Sequence, residues 1–280
     1  MSTPIPTAAP ASTARNKIYF ISDTHLGAGA MTHPLDYERR VVRFLDSIKD
    51  DCAELFLLGD IIDYWFEYRY VVPRGFTRFL GKLGEMTDSG IRVHWFTGNH
   101  DIWIRDYLPT ETGVEVHRTA EVVERQGKKL YLAHGDGLGD DNRSYRLMAN
   151  FFRNRTCQRL FAAIHPRWTT AFAHRWSKHS RLTGSKFPDF LGEDREHLVL
   201  FAKDYLKHDS TIDYFIFGHR HIMLDLMLSR TNRLLILGDW ITHFSYAVME
   251  EGNIFLDTFE EAAADGSDGE PERTGVSIAF

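Results

Sequence analysis

Short runs of Ile, Val, Leu, Phe and Tyr, each closed by Gly, Asp, Asn or His, recur along the chain. They predict strands at Lys17–Ser22, Glu54–Gly59, Arg92–Gly98, Lys128–His134, Tyr214–Gly218 and Leu234–Gly238. The runs are continuously apolar rather than alternating, the pattern of strands covered on both faces. Between them apolar residues recur at helical spacing. Val41, Leu45 and Ile48 mark a helix over Leu35–Lys49, and a second over Arg74–Asp88 stops at Gly90. Strand and helix alternate, so the class is α/β, with sheets sandwiched by helices.

The segment Asn142–Pro188 breaks this rhythm. Its 47 residues hold eight Arg, two Lys and no acid, a formal +10 that leaves −16 for the rest of a chain totalling −6. Leu147, Phe151 and Phe152, then Leu160, Phe161 and Ile164, are interleaved at helical spacing. Pro166 separates this helix from one bearing Trp168, Phe172 and Trp176. Such a segment can meet anionic headgroups while offering acyl chains an apolar wall. As a nucleic-acid surface it would supply phosphate contacts only, so no nucleic-acid partner is expected.

Composition bounds the rest. The 280 residues are 43% hydrophobic and 26% charged, enough for a sizeable core in one large domain with an insertion or in two small ones. No run of about 18 apolar residues predicts a spanning helix. Residues 1–16, rich in Pro, Ala, Ser and Thr, read as a disordered leader without a signal peptide's apolar region. The acidic, Gly-rich stretch 260–280 reads as a disordered tail. The expected layout is a core of 17–141 and 189–259, with 142–188 as a basic helical cap. Cys52 and Cys157 lack metal-finger spacing and read as buried, reduced thiols, in keeping with a cytoplasmic protein.

Five places share one design, an apolar strand delivering polar residues at its carboxyl end. They are Asp23-Thr24-His25, Gly59-Asp60, Gly98-Asn99-His100-Asp101, His134-Gly135-Asp136 and Gly218-His219-Arg220-His221. Strand ends share a rim in layered α/β folds, where such folds hold their sites. On an extended chain, Asp-x-His and His-x-His each point both side chains to one side, because the strand period is two. Imidazole with carboxylate suits Mn, Fe or Zn, and the Asn carbonyl adds a harder, weaker ligand. Asp23, His25, Asp60, Asn99, His134, His219 and His221 suffice for two divalent cations if one carboxylate bridges them, about 3.5–4 Å apart. Asp60, alone at its strand end, is the expected bridge. His94 and His117 stand alone and read as structural or solvated, and Asp63 and Asp106 as surface or capping acids.

This order of motifs, D-x-H, G-D, G-N-H-D, H-G-D and G-H-x-H, resembles the calcineurin-like metallophosphoesterase superfamily over roughly Lys17–Asp257. The resemblance implies a four-layer αββα sandwich with a helical insertion. It implies one cation on Asp23, His25, Asp60 and His221, and a second on Asp60, Asn99, His134 and His219. Manganese is the foremost expectation, with Mg, Fe or Zn as alternatives. The implied reaction is hydrolysis of a phosphate ester or anhydride by a water that the cations activate. His100, beside Asn99, is placed to stabilise or protonate the leaving oxygen, with Asp101 orienting it.

Within the superfamily the chain is similar to the UDP-2,3-diacylglucosamine hydrolases of the lipid A pathway, which split a pyrophosphate into UMP and a lipid monophosphate. The similarity rests on Gly59–Trp65, on the run from His134 through Asp141 to Tyr145, on the basic insertion and on Leu237-Gly238-Asp239-Trp240. Better-known members carry Arg where this chain has His100. The resemblance implies a lipid-linked nucleotide substrate contacted by His100, Asp141, Tyr145, Ser177, Arg181 and Lys186. It implies work at the cytoplasmic face of the inner membrane, with the basic cap as a peripheral contact. A nucleotide or cyclic-nucleotide phosphodiesterase would use the same cations without needing the insertion. A non-catalytic metal-binding scaffold would be expected to have lost ligands.

Overall fold

The computed structural model describes residues 15–29, 33–139, 151–152, 154–169 and 189–260. The described strands form two sheets. The first contains β1 (Lys17–Ile21), β2 (Cys52–Leu58), β3 (Arg92–Phe96), β4 (Glu115–His117), β10 (Ser245–Glu250) and β11 (Asn253–Thr258), in the order β11-β10-β1-β2-β3-β4. The second contains β5 (Glu121–Arg125), β6 (Lys128–Leu132), β7 (Tyr214–Phe217), β8 (Met223–Met227) and β9 (Arg233–Leu237), in the order β5-β6-β7-β9-β8. Pairing is parallel along β1-β2-β3-β4 and along β6-β7-β9, so the carboxyl ends of the central strands gather at common rims.

The two-residue period of each strand sorts its side chains into layers. Phe20, Phe56 and Phe96 meet Leu132, Ile216 and Leu237 between the sheets. Tyr19, Leu57 and Trp95 face outward, onto Val41, Phe44 and Leu45 of α1 (Pro34–Ile48) and Phe79 and Leu83 of α2 (Thr77–Asp88). Phe215, Phe217 and Ile236 pack on Leu198, Val199 and Ala202 of α5 (His197–Tyr205). Helix, sheet, sheet and helix are thus stacked as four layers. Fully burying one such side chain stabilises the fold by about 1.5–3 kcal/mol, which is why these strands carry apolar residues on both faces.

All six apolar runs form strands, but each strand ends one or two residues early, leaving the polar residues in the loops beyond. The strands absent from the sequence reading are β4, β5, β8, β10 and β11. Among them β5 and β10 alternate in burial, and β4, β8 and β11 lie at sheet edges, so none carries a continuous apolar run. Helix α2 starts at Thr77 rather than Arg74, because Gly75 and Phe76 take left-handed backbone conformations just before it. Its first amides find an acceptor in another helix: Glu38 Oε1 of α1 takes Arg78 N at 2.9 Å and Phe79 N at 3.2 Å.

Part of the insertion is described. Asn154 caps α4 (Arg155–Ala162), accepting from Thr156 N at 2.8 Å and Cys157 N at 3.1 Å. Pro166 opens a further helical turn, where its missing N–H costs nothing. Phe161 stacks on Trp103 with centroids 5.5 Å apart and meets Phe66 at 5.0 Å, while Trp103 Nε1 donates to Phe152 O at 3.0 Å. Phe151, Leu160, Ile164 and Trp168 remain exposed. Cys52 is buried, but Cys157 is only half-buried, a departure from the expected pair of buried thiols. Residues 1–14, 261–280 and the rest of Asn142–Pro188 lie outside the described residues, as do Asp141, Tyr145, Ser177, Arg181 and Lys186. No described helix is long and apolar enough to cross a membrane.

Candidate metal centre

The loops after β1, β2, β3, β6, β7 and β9 converge on one rim. Three overlapping groups of donors form there, Asp23 with His25 and His221, Asp60 with His134 and His219, and His25 with Asp63 and His100. In the first group, His221 Nε2 lies 3.2 Å from Asp23 Oδ1 and 3.2 Å from His25 Nε2. In the second, His134 Nε2 lies 3.3 Å from Asp60 Oδ2. The same Asp60 oxygen is 3.9 Å from His25 Nε2, so this carboxylate reaches the first group as well as its own. Asn99 is exposed in the turn between Gly98 and His100.

The backbone that achieves this is not an extended strand. Asp23, His25, Asp60, His219 and His221 have φ of 53°, 42°, 52°, 67° and 51°, in the left-handed region that non-glycine residues rarely occupy. Strand alternation therefore does not aim Asp-x-His and His-x-His, contrary to the expectation from sequence. Each such residue costs on the order of 1–3 kcal/mol and persists only where its surroundings over-determine it. Those surroundings are long-range hydrogen bonds: Asp23 N to Gly59 O at 3.1 Å, His25 N to Asp60 O at 3.0 Å, and His219 N to Asp23 Oδ2 at 2.9 Å. Close approach also demands two glycines. A Cβ on Gly98 would collide with Asp60 Oδ1, and one on Gly218 with Ser22 Oγ and Asp23 Oδ2.

The donor set fits divalent cations. Asp23 Oδ1 and His134 Nε2 are buried without a hydrogen-bond partner, a state native structures seldom leave unexplained. Two ligands about 2.1 Å from a shared cation and about 100° apart lie about 3.2 Å from each other, which is the spacing these donors keep. Charge points the same way. Burial would raise the Asp23 carboxyl, but His221 and His25 hold it well below the usual carboxylate range. Burial would lower His134, but Asp60 holds it well above the usual imidazole range. Burial likewise opposes His221, which Asp23 and Asp239 push up to about 10. Burial, with His134 beside it, pushes His219 down to about 3. Protons on His134 and His221 thus balance Asp60 and Asp23, a balance that bound cations would supply instead.

The family described as calcineurin-like phosphoesterase matches residues 16–223. The chain belongs to this family. Among curated relatives, a UDP-2,3-diacylglucosamine hydrolase of Porphyromonas gingivalis is 44% identical over 259 residues, covering 88% of this chain and 99% of the relative. One of the same name from Ralstonia nicotianae is 28% identical, covering 73% of this chain and 76% of its own. A third, from Nitrosococcus oceani, is 26% identical, covering 79% and 86%.

Several residues around this phosphoesterase centre escaped sequence reasoning. Asp63 is not a surface or capping acid: it is buried, with Oδ1 3.2 Å from His25 Nδ1. Asp239 Oδ2 lies 3.4 Å from His221 Nδ1, while Oδ1 accepts from Thr242 N at 2.7 Å and Ile241 N at 3.0 Å. Ser22 Oγ donates to Asp23 Oδ2 at 2.5 Å. A signal was available for Asp63 and Asp239, since both sit inside motifs quoted for the family resemblance. His134 is oriented by the main chain, with Nδ1 2.8 Å from Leu58 O.

His100 lies at the edge of the centre, with Nε2 4.0 Å from Asp60 Oδ2, and its main-chain N donates to Asp60 Oδ1 at 2.8 Å. Its Nδ1 donates to Asp63 O at 2.8 Å. Asp101 does not orient this ring. It is fully buried and accepts from Gly98 N at 2.7 Å, Ile61 N at 3.0 Å and Trp95 Nε1 at 3.1 Å, tying the turn to the core. Burial and the Asp60 charge push its carboxyl up to about 6. Asp106, by contrast, is an exposed acid at the N-cap position of α3 (Tyr107–Thr112), where its side chain makes no capping hydrogen bond.

Proposed function

We propose that this metal-dependent hydrolase splits the pyrophosphate of UDP-2,3-diacylglucosamine into UMP and 2,3-diacylglucosamine 1-phosphate. The observation that carries the reading is the 44% identity to a hydrolase of that name over 99% of the relative's length. The donor groups around Asp60 support it. On this reading one cation is held by Asp23, His25, Asp60 and His221, and the other by Asp60, Asn99, His134 and His219, with manganese the preferred ion. Two divalent cations in such a site lower the pKa of a water and neutralise the phosphoryl oxygens it attacks.

The chain's own part is to orient. Asp63 and Asp239 hold the rings of His25 and His221 with their Nε2 atoms turned toward each other and Asp23, where these residues would hold a cation. His100 keeps Nδ1–H on a carbonyl, which leaves Nε2 as the atom that faces substrate and, in the imidazolium, donates to the leaving oxygen. The basic cap, 142–188, covers the acyl chains and meets the anionic surface of the cytoplasmic membrane, and the enzyme works there as a peripheral protein. Asp141, Tyr145, Ser177, Arg181 and Lys186 contact the substrate on this reading. The test is turnover by purified protein on UDP-2,3-diacylglucosamine with manganese or magnesium supplied in turn. UMP and the lipid monophosphate are the expected products. Absence of UMP with either ion, alongside hydrolysis of a small phosphodiester, would replace the lipid nucleotide with another substrate.

A further inference from the structure

His94, Glu115 and His117 bring three further donor atoms together at the β3–β4 edge, apart from the centre described above. We propose that these residues form a separate site for a borderline divalent transition cation such as zinc. Strand register assembles it. His94 pairs with Glu115 and Phe96 with His117, so alternation puts all three donors on one face. His94 Nδ1 lies 3.1 Å from His117 Nε2 and 3.2 Å from Glu115 Oε2. These are again the separations of ligands about 2.1 Å from one ion.

The hydrogen-bond chemistry around the two rings favours a cation between them. Glu121 Oε1 lies 2.8 Å from His117 Nδ1, which fixes the proton there and turns the Nε2 lone pair toward His94. On the far side of His94, buried Nε2 lies 3.3 Å from Glu54 Oε2 without a hydrogen bond. A neutral His94 protonated on Nδ1 sets its Nε2 lone pair against the Glu54 carboxylate. Protonated on Nε2, it sets its Nδ1 lone pair against that of His117. Either neutral form leaves two electron-rich atoms facing each other; a second proton on the ring or a divalent cation at Nδ1 relieves this, and the convergence of three donor atoms on one point favours the cation. The carboxylate behind His117 is the support that metal-bound imidazoles usually have.

The site is rigid and reachable. His94 stacks on Phe56 at 4.5 Å and His117 on Phe96 at 4.6 Å, so neither ring needs ordering before it binds. The Glu115 side chain is 61% exposed and opens the site to solvent. Glu54 is already paired with Arg92 and Arg125. Among the described residues, Glu115 and Glu121 have no Lys or Arg partner, so one divalent ion balances two carboxylates. Glu121, on β5 of the second sheet, already joins the three-residue edge strand β4 to that sheet through His117, and the ion would add a tie between β4 and β3.

Zinc content after dialysis against zinc and desalting tests this, together with diffraction at the zinc absorption edge. The wild-type protein should retain one equivalent more than Glu115→Gln or His117→Ala, with an anomalous peak beside His94 Nδ1. Glu115→Gln should weaken zinc binding at this site by at least about tenfold, the lower end of the cost of losing even a supporting residue. That variant changes an exposed side chain outside the hydrolytic centre, so it stays folded and active even if His117→Ala does not fold. Equal zinc content in all three proteins, or no peak beside His94, overturns the proposal. Asp60→Ala should leave this equivalent in place, which separates the edge site from the hydrolytic one.

Discussion

Asp63 Oδ1 lies 3.2 Å from His25 Nδ1, and the main-chain oxygen of the same Asp63 accepts from His100 Nδ1 at 2.8 Å. One buried residue thus sets the ring of a candidate cation ligand with its side chain and the ring of the acid–base candidate with its backbone. A carboxylate behind an imidazole fixes its tautomer and raises its basicity toward the metal. Asp63→Ala should therefore lower cation affinity by about 10- to 100-fold while leaving His100 in place. Metal titration of the variant, followed by turnover at saturating cation, separates the two effects. Unchanged affinity would remove Asp63 from the support of His25.

Asp60 is the residue on which the Asp23 and Asp60 donor groups both depend, being 3.3 Å from His134 and 3.9 Å from His25. Asp60→Ala should abolish turnover and reduce bound metal at the centre, with cooperative unfolding retained. A full pair of cations in that variant, measured by elemental analysis, would take the bridging role from Asp60.

His100 is expected to act on substrate rather than to bind metal. His100→Ala should cut the rate by about 10²–10⁴ with both cations retained, the range for loss of a general acid or base. His100→Arg, the residue of better-known members, should keep more activity than the Ala variant. A near-wild-type rate for His100→Ala, or loss of metal, would remove this assignment.

The exposed face of the cap offers a fourth test. Leu160, Ile164 and Trp168 are exposed while Phe161 anchors the same segment on Trp103, so the outer residues can change without undocking it. Replacing the three by Ser should lower activity on the diacylated substrate and on anionic vesicles, and spare a small soluble phosphodiester. Equal losses on both substrates would assign the segment to support of the fold instead. Binding to vesicles that does not weaken with salt would remove the electrostatic part, because charge attraction decays within a Debye length of about 8 Å at physiological salt.

The sequence by itself determined the buried parallel strands and the identity of the donors at their ends. Strands covered on both faces must be apolar throughout, and a polar residue that closes such a run marks where the chain leaves the core. Edge strands such as β4 and β11 carry no such requirement, and only pairing with a neighbour reveals them. Tertiary structure alone decided how the donors are aimed. A period of two presumes extended backbone, whereas Asp23, His25, Asp60, His219 and His221 are all left-handed. Hydrogen bonds such as His25 N to Asp60 O and Trp240 N to Asp23 O hold that geometry across 35 to 217 residues of chain. The same holds for Asp63 behind His25, Asp239 behind His221, and His94 against His117. Each contact joins residues far apart in the chain, and it is strand pairing and the packing of the layers, not local backbone preference, that brings the two partners together.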